Sequence, residues 1–314
     1  MASSIAWGRR TTSEQVCAYF SSSIRGRNII VTGPTITGVG YATANAIAEQ
    51  GPAVLVLAGR SLSKLEEAQR NILGNTRDAK IRLLQVDLSD MTSVRKAAAE
   101  VNGWNMPIDV LINNAAVMDT PYTLTSEGHE LQFATNYLGH WLFTNTLLPR
   151  ILQGRNKRIV NVSSSGHVSS DIRYDDPNFK KAYGQSKTAC CLMATSLARK
   201  HGSEGLGAFS LDPGGISTPL QQHWSLEEKQ EIGRKYGAYK DDGTVDTSSD
   251  IWKTPSQGGA GTCRAAFDPD IITQNGAYLV DAQVANDKRK EYAGNEDNAE
   301  KLWKFTNELL GEEF

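Results

Sequence analysis

Cysteine is scarce in this chain: 314 residues contain four, and two of them are adjacent at Cys190 and Cys191. That number and spacing exclude a disulfide framework as the source of stability. The adjacent pair reads instead as small buried packing residues. Five histidines show no ligand spacing, so no metal is expected. No apolar run reaches about 18 residues, and no signal-type apolar core opens the chain. The expectation is a cytoplasmic protein without a membrane anchor. A net charge of −2 gives nothing that favours nucleic acid or an anionic membrane as partner. The basic cluster Arg150, Arg155, Lys157 and Arg158 lies between a helix end and a strand, where solvated cations are ordinary. Asn161-Val162-Ser163 fits a glycosylation pattern by chance, since it falls on a strand.

No repeat or low-complexity tract interrupts what is present. Asn28-Ile29-Ile30-Val31-Thr32 reads as a strand, followed at once by Gly33, Gly38 and Gly40. Tyr41 to Gln50 reads as an alanine-rich helix, and Ala53 to Ala58 as a second strand. Strand, glycine loop and helix form the context of dinucleotide binding, with the helix N-terminus facing the pyrophosphate. Strands and helices alternate to about Pro213. The fold class is therefore α/β, a single doubly wound Rossmann-type domain with a mainly parallel sheet and helices on both faces. Residues 1–24 read as an N-terminal arm and 25–314 as the domain, with a substrate lid at 220–255.

Polar residues gather at the carboxyl ends of the predicted strands, where open α/β sheets bind ligands. They are Thr32-Gly33, Gly59-Arg60, Asp87, Asn113-Asn114, Ser163-Ser164 and Pro213-Gly214. The second strand ends without an acid. Arg60 can meet a 2′-phosphate with its forked guanidinium, so NADP(H) is the expected cofactor. Ser61 either adds a hydroxyl or caps the helix from Leu62. Further along, Tyr183 and Lys187 lie four residues apart, on one face of a helix. An ammonium beside a phenol favours the phenolate, so Lys187 is expected to lower the Tyr183 pKa and prepare it for proton transfer.

These segments resemble the short-chain dehydrogenase/reductase family over about residues 25–220. The resemblance rests on Thr32-Gly33 with Gly38-Val39-Gly40, on Asp87-Leu88, and on Asn113-Asn114-Ala115-Ala116. It also rests on Pro213-Gly214 with Thr218, and on Asn136, Ser164, Tyr183 and Lys187 in the order of the family's tetrad. The runs Leu131 to His140, Lys253 to Ala260 and Leu302-Trp303 resemble the retinol dehydrogenase-like branch. The chain departs from the usual pattern in one extra residue between Gly33 and Gly38, and in Ala116 where glycine is usual.

The resemblance implies hydride transfer between NADP(H) and a ketone, aldehyde or secondary alcohol. Tyr183 would exchange the proton, Ser164 would hold the carbonyl oxygen, and Lys187 would also hold the nicotinamide ribose. Asn136 would anchor a water in a proton relay. The implied cofactor contacts are Gly33, Thr35, Gly38, Val39, Gly40, Arg60, Asp87, Leu88, Asn114, Ala115, Tyr183, Lys187, Pro213, Gly214, Ile216 and Thr218. A redox-silent NADP-binding protein, acting as isomerase, cyclase or regulatory module, is the alternative.

Aromatic residues in 220–252, with Met118 and Tyr122, either line a pocket for a bulky apolar substrate or pack the lid itself, and the sequence favours neither. His167 either faces the substrate or is solvated. The apolar helix after Tyr183 suggests a homodimer, unless a C-terminal extension bearing Trp303 and Phe305 covers it.

Overall fold

The computed structural model describes residues 6–175, 182–221, 223–246 and 248–314. Residues 1–5 of the expected arm, and Gln222 and Thr247 of the expected lid, lie outside them. The strands are β1 (Asn28–Thr32), β2 (Val54–Gly59), β3 (Ile81–Gln85), β4 (Val110–Asn113) and β5 (Arg158–Val162). They continue as β6 (Gly207–Asp212), β7 (Gly215–Ile216), β8 (Trp252–Lys253), β9 (Tyr278–Val280) and β10 (Gln283–Val284). The helices are α1 (Ser13–Tyr19), α2 (Ser21–Ile24), α3 (Val39–Ala48), α4 (Leu62–Asn75), α5 (Met91–Gly103) and α6 (Leu131–Phe133). After these come α7 (Gly139–Leu152), α8 (Ala182–His201), α9 (Leu226–Tyr236), α10 (Pro255–Phe267) and α11 (Glu296–Leu310).

β1 illustrates why the centre of the sheet forms. Its β-branched side chains are buried on both faces, as a central parallel strand requires. Ile30 enters the apolar cluster under α5, α7 and α8, while Ile29 and Val31 enter the one under α1, α3 and α10. The main sheet has the order β10-β9-β6-β5-β4-β1-β2-β3, and only the β9–β10 pair is antiparallel. β7 and β8 pair separately. The strand order reverses between β1 and β4, which fixes the ligand crevice at their carboxyl ends.

Boundaries follow local chemistry. α3 begins two residues before the expected Tyr41 because Gly38 takes the extended N-cap conformation. Ser225 caps α9 reciprocally with Glu228, and Gly237 ends the helix with φ 66°. β9, β10 and α11 extend the architecture past the alternation read from sequence. Val16, Cys17, Phe20 and Ile24 of the N-terminal segment are buried in the same cluster as β1.

α11 lies against α8. Ser196 Oγ donates to Ala299 O at 3.1 Å, and Lys200 Nζ stands 4.9 Å above the Trp303 ring. α8 is consequently buried along most of its length within a single chain. No helix among the described residues is long and apolar enough to cross a membrane.

Candidate active site

The ends of β1 and β4 are joined through side chains. Thr32 Oγ1 accepts from Asn114 N at 2.9 Å and Ala115 N at 3.0 Å. Asn114 Nδ2 returns to Thr32 O at 2.9 Å and Gly33 O at 3.2 Å. Gly33 has φ 67°, and a Cβ there would lie 2.8 Å from Ala115 Cα. Glycine is therefore required by both conformation and space.

The extra loop residue is absorbed in a turn. Gly38 N donates to Thr35 O at 2.9 Å, and Thr37 takes φ 70°. No side chain caps the first turn of α3, so its N–H groups and positive dipole end stay available to an anion. Arg60 follows β2 with its side chain 73% exposed, and its Nε lies 4.0 Å from Asp87 Oδ2. Ser61 Oγ accepts from Lys64 N, so Ser61 caps α4. An uncapped helix end after β1 and an exposed arginine after β2 fit a nicotinamide dinucleotide. Leu88 is buried, and its carbonyl lies so close to α7 that a Cβ on Gly139 would stand 2.1 Å from it.

Asn136 occupies a π-helical turn, Ala134–Leu138, and is 1% exposed. Such turns free backbone groups and recur at functional sites. Asn136 Oδ1 accepts from Val117 N at 2.8 Å, while Nδ2 donates to Val117 O and to Ser186 Oγ. Ser186 Oγ in turn donates to Tyr183 O at 2.8 Å. Ser186 thus links the Asn136 turn to the start of α8, a connection the spacing of tyrosine and lysine conceals.

Ser164 follows β5 and caps the short helical turn Ser165–Ser169, its Oγ accepting from Gly166 N at 3.0 Å. The Tyr183 ring packs on Gly166, where a Cβ would lie 2.8 Å from Cε1. Lys187 is 2% exposed; its Nζ donates to Val162 O at 2.9 Å and stands 5.6 Å from the Tyr183 ring centroid. Ser163 Oγ donates to Lys187 O, fastening β5 to α8 a second time. Ser164, Tyr183, Lys187 and Asn136 are therefore brought to one end of the sheet.

The electrostatics correct one expectation. Burial pushes the Tyr183 phenol above its ordinary value; the Ser164 hydrogen bond pulls it back, while Asp212, Asp119 and Cys190 add to the rise. Lys187 does not reverse this. Burial holds its own ammonium below the ordinary lysine value, with Cys190, Cys191 and Asp212 opposing. Within the chain alone Tyr183 is a neutral phenol.

Two histidines emerge that the sequence left unassigned. His167 is not solvated: it is buried, with Nδ1 2.7 Å from Ser164 O and Nε2 3.2 Å from Lys290 N. A carbonyl can only accept and an amide N–H can only donate, so the Nδ1–H tautomer is required. His140 is buried between Thr32 and Asn136. No signal in a single sequence distinguishes such histidines from surface ones. Cys190 and Cys191 are buried as expected, and Cys191 Sγ reaches Ser163 Oγ at 3.2 Å. Asn161, also buried, donates to Cys190 O.

Beyond β6, Gly214 has φ 89° and packs on Lys253, whose Nζ donates to Pro213 O at 3.2 Å. Lys253 Nζ also pairs with Asp281, and Arg9 approaches the same carboxylate at 3.9 Å. Arg9 donates to the carbonyls of Asp250 and Ile251, Arg10 pairs with Asp250, and Ser13 contacts Ser256. Gln221 holds Ile216 O and Thr218 N. The aromatics of 224–252 pack on one another, Trp224 on Tyr239 and Tyr239 on Trp252. Trp224 Nε1 donates to Asp119, Met118 is buried, and Tyr122 is exposed. No metal-ligand cluster occurs among the described residues.

A family model described as short chain dehydrogenase matches residues 27–229. The chain is 35% identical to Short-chain dehydrogenase TIC 32 A, chloroplastic, of Brassica napus, over 97% of this chain and 94% of that protein. It is 32% identical to Retinol dehydrogenase 12 of Mus musculus, over 92% of this chain and 87% of that one. Among solved structures, an uncharacterised protein from Mycobacterium paratuberculosis superposes with a TM-score of 0.68 at 28% identity, covering 93% of this chain and 96% of that chain.

Proposed function

The chain belongs to the short-chain dehydrogenase/reductase family, on its retinol dehydrogenase-like branch, and from that premise we propose an NADP(H)-dependent carbonyl reductase or alcohol dehydrogenase. The family makes it an oxidoreductase with a nicotinamide cofactor; the phosphate preference and the reacting residues are the proposal. The observation that carries it is the convergence of Tyr183, Ser164, Lys187 and Asn136 at the carboxyl end of β5.

Gly33, Thr35, the uncapped end of α3 and Arg60 would hold the phosphates. Asp87, Leu88, Asn114 and Ala115 would flank the adenosine half, and Pro213, Gly214, Ile216 and Thr218 the nicotinamide half. When bound, the nicotinamide supplies or accepts hydride at the substrate carbon. Ser164 orients the substrate oxygen by hydrogen bonding, and Tyr183, held neutral by burial, donates the proton in the direction of reduction. Lys187 sets a positive charge beneath the tyrosine ring, and Asn136 fixes the turn against α8.

Trp224, Tyr239 and Trp252 pack on one another in the segment after β7, so a bulky apolar carbonyl substrate rests on the resemblance to the branch and on the buried Met118. A panel of ketones and aldehydes followed by NADPH absorbance tests the reading. NADPH consumption that depends on both a carbonyl and Tyr183 is expected. Turnover without NADPH consumption would favour an isomerase or cyclase.

A further inference from the structure

Far from the crevice, where the strands begin, Arg27 and Arg158 are 7% and 5% exposed. The solvated reading of the basic cluster therefore fails for Arg158, the first residue of β5. With Ser23, Asn156, Phe267 and Pro269 the two arginines line a cavity of about 170 Å³. Guanidinium groups stay charged at neutral pH, so burying two together calls for compensating negative charge.

Asp109 favours the Arg27 charge and Asp268 that of Arg158, but neither carboxylate pairs with them directly, and each is shared with other donors. Asp109 accepts from Asn28 N at 2.8 Å and Arg155 N at 2.6 Å. Asp268 pairs with Arg264 at 3.0 Å and accepts from Asp270 N. Among the described residues neither Arg27 nor Arg158 forms an ion pair. Their hydrogen bonds go to backbone carbonyls: Arg27 to Arg155 O, and Arg158 to Lys157 O at 3.2 Å. Arg158 Nε is buried without a partner among the described residues. Burial holds Arg158 down to about 10, and Arg27 adds repulsion, while Asp268 opposes both.

We propose that this cavity binds a small oxyanion of phosphate size between the two guanidinium groups, with Ser23 and Asn156 at its rim. Forked guanidinium donors match oxyanions in geometry, and the volume admits one such group but no nucleotide. The site lies at the opposite end of the sheet from Tyr183, so its occupancy acts on folding stability.

The test is thermal unfolding in inorganic phosphate against chloride at matched ionic strength. It is performed on the full chain and again with Arg60→Ala, which removes the arginine assigned to cofactor phosphate. A saturable rise is expected in both, about 4 °C at a hundredfold excess over Kd. Folded Arg158→Met and Arg27→Met chains should lose it. Should those chains fail to fold, Asn156→Asp decides: a carboxylate at the rim should raise the midpoint in chloride and at least halve the phosphate response. Equal midpoints in phosphate and chloride overturn the proposal. So does a response that disappears with Arg60→Ala, survives in folded Arg158→Met, or is untouched by Asn156→Asp.

Discussion

His140 Nε2 lies 2.9 Å from Thr32 Oγ1, where β1 passes into the glycine loop. Its other nitrogen lies 3.0 Å from the carbonyl oxygen of Asn136, so Nδ1 carries the proton and Nε2 accepts from the Thr32 hydroxyl. That leaves the Thr32 oxygen free to accept from Asn114 and Ala115. One uncharged ring thereby joins the expected cofactor cradle to the turn that carries Asn136.

The same ring should leave a mark on stability. Burial pushes His140 down to about 4; the Asn136 hydrogen bond opposes this and Lys187 adds to it. In the unfolded chain histidine titrates near 6.5, so between these values the unfolded state binds more protons. Stability is therefore complete above about pH 6.5 and falls toward pH 4, by on the order of 3 kcal/mol. Burial also lowers His129 and His167, which act in the same direction. Urea unfolding at pH 7 and pH 4.5 should show His140→Gln to be less sensitive to acid than the parent. Equal sensitivity would contradict the assignment.

Tyr183→Phe keeps the ring on Gly166 and removes only the hydroxyl. Turnover of a confirmed substrate should fall about 10²–10⁴-fold, with the fold and NADPH binding retained. Lys187→Ala should impair both rate and cofactor affinity, and Ser164→Ala mainly the rate. Steady-state kinetics alongside cofactor titration separates these patterns, and a Tyr183→Phe chain at the parental rate would refute the tyrosine mechanism.

Gly166→Ala makes the same point from the opposite side. The added methyl would stand 2.8 Å from Tyr183 Cε1, so the ring must move. A displacement of about 1 Å can cost on the order of 10²-fold in rate. The expected result is a large loss in kcat with NADPH affinity near that of the parent, read by kinetics and calorimetry. A parental kcat would show that the tyrosine position is not critical.

Arg60 sets cofactor choice in the proposed reading, but Asp87 at 4.0 Å and broad exposure temper its strength. Arg60→Ala should weaken NADPH about tenfold, roughly 1.4 kcal/mol, and leave NADH little changed. Calorimetric titration with both cofactors gives the comparison; an unchanged NADPH affinity removes the arginine from the site.

Because α11 covers α8, the face considered for pairing is occupied by the chain's own C-terminal helix. Light scattering at micromolar concentration should return the mass of one chain. A mass of two chains would mean that another surface pairs.

Periodicity and turn chemistry were enough to read β1 through β6 and their helices, because central parallel strands are β-branched runs closed by glycine or polar residues. The family resemblance named Asn136, Ser164, Tyr183 and Lys187, and the structure brings these four to one end of the sheet. His140, His167 and Gly166 were not legible, since each owes its position to contacts with residues distant in sequence. Arg158 misled for a related reason: a basic cluster reads as surface until the strand it opens is known to be central. The tyrosine electrostatics escaped because spacing reports proximity, while burial decides which protonation state prevails.

The Arg9–Asp281–Lys253 cluster also bears on how modular the chain is. The segment that follows β7 ends on Lys253, and it is clasped by residues 9–13 and by the turn between β9 and β10. Three stretches far apart in sequence therefore make one unit. A chimaera that grafts only residues 217–253 from a relative would leave Arg9 and Asp281 facing foreign partners. Residues 9–13 and the turn at Asp281 must travel with the graft, so recombination of this segment is a matter of three coordinated replacements.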